Sequence, residues 1–238
     1  MQTINLRKIS SVTVALALLS TFGLTAIATA APKATTTQAD TAKVKTVIAD
    51  GDAKIVKRLD TLTKLTAKVY TSEKLSTANK NSLLTEVTAA SNGLKNLKTK
   101  LDANTTLAGA QADSRLIMTD YRVYMLVAPK INLVKVADNQ LTKEGQLTNF
   151  ASALQTAVAS SSQSATLSPK VADMQSKIKA SQATSQDIAN KLLALKPSDY
   201  NANHAIMKSY LAQLKTVQAN NVAIFNQGVA VMKVLETN

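Results

Sequence analysis

Ten positions near the C-terminus, Asn203, Met207, Tyr210, Leu214, Val217, Asn221, Ile224, Gly228, Val231 and Leu235, follow one another in steps of four and three without a skip. Spacing of that kind lays a single narrow stripe along a helix, and such a stripe is buried only against another helix. The run predicts a helix of roughly thirty-five residues, about 50 Å at ~1.5 Å per residue. Val171, Met174, Ile178, Ser181, Ser185, Ile188, Leu192 and Leu195 form a second such stripe, and Leu83, Val87, Ala90, Leu94, Leu97 and Leu101 a third. The expected fold is therefore all-α: an elongated antiparallel bundle of coiled-coil-like helices. Six Gly and four Pro in 238 residues agree with long helices and few tight turns.

The remaining helices are read from the same periodicity. A first run passes Ile48, Ile55, Leu59, Leu62, Thr66 and Val69, with Asp40 as its expected N-cap. Residues 73–79 separate it from the Leu83 run, which predicts a helical hairpin. After a connection at 102–109, the segment 110–139 is expected to be one helix kinked at Pro129, whose ring removes a backbone bond and crowds the preceding turn. A further helix is expected over 141–160, carrying Leu147, Phe150, Leu154 and Val158. Ser168-Pro169 should then open the next helix after a Ser-rich loop, and Lys196-Pro197-Ser198-Asp199 should end it and cap the last one. Four seam positions are polar: Ser181, Ser185, Asn203 and Asn221. Such residues fix register at a cost in stability, or sit wet at a frayed end.

The first thirty residues have the layout of a secretory signal. Arg7 and Lys8 precede an apolar stretch from Val12 to Leu24, and Ala28-Thr29-Ala30 stands before Ala31-Pro32. Cleavage after Ala30, between flanking small residues Ala28 and Ala31, is expected in preference to an uncleaved anchor, because Ser and Thr dilute the stretch below what a spanning helix needs. The expected division is a signal peptide at 1–30, a flexible leader at 31–39 and a helical-bundle domain at 40–238. With no cysteine in the chain, a lipid-modified cysteine, disulfides and thiol chemistry are all excluded. The exported chain is expected to be secreted or otherwise extracytoplasmic, or held at the cell surface, with no transmembrane segment in its mature part.

Lys and Arg number 28 against 15 Asp and Glu, a net charge of +13. Loss of residues 1–30 would remove Arg7 and Lys8 and no acidic residue, leaving +11. The charge is even along the chain, and aromatics make up only 3%. A nucleic-acid module would concentrate its cations beside stacking rings, so nucleic acid is disfavoured as a partner. Anionic envelope polymer or a protein fits better, and self-association through the seams is a further option.

No catalytic or cofactor constellation stands out. His204 is the sole histidine and has no ligand-type neighbour at helical spacing. Ser176-Lys177-Ile178-Lys179 matches S-x-x-K, yet lacks its S-D-N and K-T-G companions. Asp50-Gly51-Asp52 lacks the further oxygen ligands of a calcium loop. Catalytic, cofactor-binding and metal residues are accordingly expected to be none, and no cofactor is expected. Tyr121, Arg122 and Tyr124 form the most distinctive cluster, read either as an interaction patch or as tyrosines finishing the core while Arg122 pairs with Asp120 or Asp138.

Three segments, Ala53 to Leu62, Leu75 to Lys80 and above all Thr119 to Lys130, resemble exported all-helical proteins of candidate-phylum bacteria of the Saccharibacteria type. The resemblance covers about residues 45–140. It implies a cell type and no activity, since those relatives carry no assigned function. The function expected is that of a non-enzymatic envelope structural component or surface attachment factor. Alternatives are an envelope holdase-type chaperone and a helical membrane-active protein or toxin.

Overall fold

The computed structural model describes residues 38–237, and every element among them is helical. The signal-peptide reading, with Ala28, Ala30 and Ala31 at its cleavage point, and residues 31–37 of the leader fall outside the described residues. Helix α1 (Gln38–Tyr70) packs against α2 (Thr77–Asp102), and α3 (Leu107–Thr119) lies on both. Ser76 caps α2 by accepting the Asn79 N–H at 3.3 Å, and Thr106 caps α3 by accepting that of Gly109 at 3.2 Å. Asp40 is not the N-cap of α1. It lies in the first turn, where its charge still complements the exposed N–H groups.

The segment 110–139 departs from the expected single kinked helix. Helix α3 ends at Thr119, Arg122 turns left-handed at φ 40°, and a π-helical turn (Val123–Val127) leads into α4 (Ala128–Ala159). Pro129 thus opens a helix instead of kinking one. A proline ring crowds the carbonyl four residues before it, here that of Met125. The wider π turn, in which the Ala128 N–H reaches back to the Val123 carbonyl, makes room for it. The separate helix expected over 141–160 is the continuation of α4.

Helix α5 (Ser164–Ala194) starts four residues earlier than Ser168, so Pro169 lies inside it and Ser168 is not its cap. The Thr166 N–H reaches the Gln163 carbonyl at 3.0 Å, a tight first turn completed before the proline is met. Lys196 to Asp199 opens only the short α6 (Pro197–Ala202), where Asp199 accepts the Lys196 N–H at 2.7 Å. The chain breaks at Asn203 and resumes as α7 (Ile206–Glu236), 31 residues long. Helices α4, α5 and α7 pack on one another, and most of their seam residues are buried as the spacing predicts; Phe150, Tyr210 and Leu235 are half-buried, and Asn203 is exposed at the break.

The apolar core is divided into two clusters. The larger joins α1, α2 and α3 to the Ile131–Ala137 part of α4, Ile188 and Leu192 of α5, and Leu214 and Val217 of α7. The smaller lies at the far end of the three long helices, around Leu147, Leu154, Met174, Ile178, Ile224 and Val231. Between them stands a layer of buried polar side chains. Glu144 Oε1 accepts from Ser185 Oγ at 2.9 Å and from Asn221 Nδ2 at 3.0 Å, while Asn221 Oδ1 accepts from Ser181 Oγ at 2.8 Å. Gln140 Oε1 also accepts from Asn221 Nδ2, at 3.2 Å. Three of the polar seam positions therefore share one hydrogen-bonded layer and are not wet ends.

Two further buried polar groups tie the halves of the fold together. Lys130 Nζ pairs with Glu86 at 2.7 Å and donates to the Leu195 carbonyl at 2.6 Å, linking α4 to α2 and to the end of α5. Asp138 accepts from the Ser76 N–H and from Asn79 Nδ2, both at 2.7 Å, and so anchors the start of α2 on α4.

Candidate interaction surface

Tyr121, Arg122 and Tyr124 lie where the chain leaves α3 and enters the π turn, and their side chains diverge. Tyr121 is half-buried against Gly93 of α2, where its ring occupies the space of a Cβ. Burial pushes its phenol above the ordinary range, and Asp120 adds to the shift. Arg122 pairs with neither Asp120 nor Asp138. Its Nε donates to Asn201 Oδ1 at 2.7 Å, its guanidinium lies 5.4 Å from the Tyr200 ring, and Asn201 in turn donates to the Thr119 carbonyl at 3.1 Å. Arg122 thus fastens α6 to the end of α3.

Tyr124 points outward, with the guanidinium of Arg58 4.9 Å from its ring. Arg58 is buried, donates to the Lys54 carbonyl at 3.0 Å and has no carboxylate partner among the ion pairs of the described residues. Burial lowers its pKa, and proximity to Tyr124 works against that shift. Its Nη2 also donates to Met118 Sδ at 2.6 Å, and Met118 and Met125 are both exposed.

The other sequence candidates stay apart. His204 is exposed between α6 and α7, edge-on to Tyr200 at 5.1 Å. Ser176 is exposed on α5, and Lys177 pairs with Asp173 at 2.6 Å. Asp50 pairs with Lys54, Asp52 pairs with Lys98 at 2.7 Å, and Gly51 between them faces Leu101 in the core. The helix runs straight through that trio. Among the described residues no group of His, Asp and Glu is gathered as a metal site would require, and no helix is long and apolar enough to cross a membrane.

Two open grooves flank α7. The larger, about 510 Å3 between α5 and α7, is lined by Lys177, Thr184, Gln213 and Gln227 together with Ala180, Val217, Ala223 and Ile224. The other, about 380 Å3 between α4 and α7, is lined by Lys143, Leu147, Phe150, Gln218, Val222 and Phe225, with Gln140, Gln146 and Asn221 completing it. Phe150 and Phe225 meet in it with ring centroids 5.8 Å apart. Reading the sequence for one seam per helix misses this surface. Its signal is present nonetheless: Leu211, Lys215, Gln218, Val222, Phe225, Val229 and Met232 each stand one position after a seam residue.

No family model, curated protein or solved structure matches the chain.

Proposed function

We propose that the chain is an exported, non-enzymatic helical-bundle protein that acts through its surface, as an envelope structural component or attachment factor for anionic envelope polymer or a protein. The observation that carries this reading is the allocation of charge. The ion pairs among the described residues engage Asp40, Asp50, Asp52, Asp60, Glu86, Asp102, Asp113, Asp173 and Asp187 with lysines of the same chain. Asp138 and Glu144 are buried on neutral partners. Lys45, Lys57, Lys95, Lys143, Lys208 and Lys215 are exposed and take no part in these pairs. A polyanion can engage such cations without displacing an internal partner, and the attraction falls as salt is added.

Binding of the purified chain to envelope fragments and to a teichoic-acid-type polymer, measured across ionic strength, tests the reading. Retention at low salt and release at high salt are expected. Absence of binding at every ionic strength overturns the attachment role. The exposed apolar face of α7 favours a second reading, an envelope holdase, which suppression of aggregation of a reduced model substrate would support.

A further inference from the structure

We propose that the groove between α4 and α7 is the docking site of an acidic amphipathic helix from a partner protein. The proposal rests on the reading of the chain as an interaction protein and names the chemistry of one partner.

A helix in a three-helix packing unit needs one apolar stripe, and α7 carries two. The first is buried on α4 and α5. Along the second, Leu211 is 41% exposed, Val222 55%, Phe225 51% and Met232 37%. On α4 the facing wall is carried by Lys143, Leu147 and Phe150, of which Leu147 is buried, and Val136, seven residues before Lys143, is 37% exposed beyond the lining. Two parallel walls with this spacing offer holes for the knobs of one more helix, which would complete a four-helix arrangement. From Leu211 to Met232 the stripe is about 32 Å long at ~1.5 Å per residue, so the occupant has about six turns. Isolated exposed apolar residues need no account, but an aligned row beside a groove marks an interaction surface.

Charge selects among occupants. Among the described residues Lys143 is the one charged residue lining the groove, Lys215 stands on the stripe itself, and α7 has a single acidic residue, Glu236, at its far end. Glu144 faces the buried layer instead. Asn221, bonded to Gln140 and Glu144, places Lys143 level with the Gln218–Val222 region. Lys215 therefore lies towards the Leu211 end of the stripe and Lys143 near its middle, while Phe150, Phe225 and Met232 carry the other half. A fitting helix carries Asp or Glu on the flanks of one half and large apolar residues on the other. A second copy in parallel would set Lys215 against Lys215, which like-charge repulsion disfavours.

The test uses the full chain lacking residues 1–30 and two designed helical peptides of about 22 residues with the same Leu seam, one flanked by Glu and one by Lys. Fluorescence anisotropy should show the Glu peptide binding at least about tenfold more tightly than the Lys peptide, with the preference shrinking in salt. Val222→Asp or Phe225→Asp should weaken Glu-peptide binding at least about tenfold while leaving the helical circular-dichroism signal intact. Lys143→Glu with Lys215→Glu should reverse the peptide preference. Equal binding of both peptides, binding of neither, or indifference to Val222→Asp overturns the proposal. A dimer in sedimentation that Val222→Asp dissolves also overturns it, assigning the groove to a second copy. Retention of envelope polymer by the wild-type chain while neither peptide binds would leave the attachment reading standing and remove this one. Peptide binding without polymer retention would do the reverse.

Discussion

Glu144 has no exposed surface, and its Oε1 gathers hydrogen bonds from α5 and α7 while Oε2 has no hydrogen-bond partner among the described residues. Replacing it alone by Leu would orphan Ser185 while Asn221 keeps its bonds to Gln140 and Ser181, at a cost of about 1–3 kcal/mol for the buried group left unsatisfied. Denaturant unfolding should show that loss for Glu144→Leu. The combined variant Glu144→Leu, Ser185→Ala should recover most of it, because it removes the orphaned hydroxyl and leaves Asn221 on Gln140 and Ser181. A combined variant less stable than the single one would contradict this account. Asp113 makes a different prediction, about pH. Lys100 at 2.7 Å and Asn104 at 2.8 Å hold its carboxyl below the ordinary aspartate range. A carboxyl whose pKa is lower in the folded than in the unfolded chain stabilises the fold above the unfolded value of about 3.9, and that contribution disappears as pH falls through the lower folded value. The melting temperature of Asp113→Asn should therefore lie below wild type near neutrality and converge with it as pH falls below about 4. A constant offset down to the lowest pH would show that the ion pair is not the cause.

At the scale of helices, two glycines discriminate packing from propensity. A Cβ at Gly228 would collide with the Phe150 ring and come within 3.0 Å of Met174 Cε, whereas one at Gly145 would meet nothing within 4 Å. Thermal unfolding should show Gly145→Ala stabilising by about 0.5–1 kcal/mol. Gly228→Ala should instead destabilise, since overpacking of about 1–3 kcal/mol outweighs the same helix gain. Stabilisation by both would mean that α7 approaches α4 less closely than described. The helices themselves were legible from spacing: Met174, Ile178, Ile188, Leu214, Val217 and Ile224 all lie buried where the stripes place them. The prolines misled, because the kink at Pro129 presupposes an α-turn before it, and the chain there has only a left-handed residue and a π turn. The candidate cluster misled for a related reason. Tyr121, Arg122 and Tyr124 are neighbours in sequence, but the conformational change at Arg122 sends them to α2, α6 and solvent. The stripe beside the groove was obscured by Lys215 and Gln218, which interrupt its apolar character without interrupting its spacing.

Over the whole described region, the polar layer separates a broad base, where the seven α-helices and the π turn share one apolar cluster, from a tip made of three helix ends. Local opening follows local burial, so the tip should open at lower cost than the base. Native-state hydrogen exchange should show amides near Leu154, Val171 and Val231 exchanging before those near Val134, Ile188 and Val217. Equal protection would mean that the layer couples the two clusters into one cooperative unit. The layer has another consequence, because α4, α5 and α7 cross it unbroken while the apolar core does not. Residues could be added to or removed from all three helices beyond Glu144 in whole heptads, each changing the span by about 10 Å while preserving the facing stripes. The base would stay as it is, and the reach of the molecule would become an adjustable dimension.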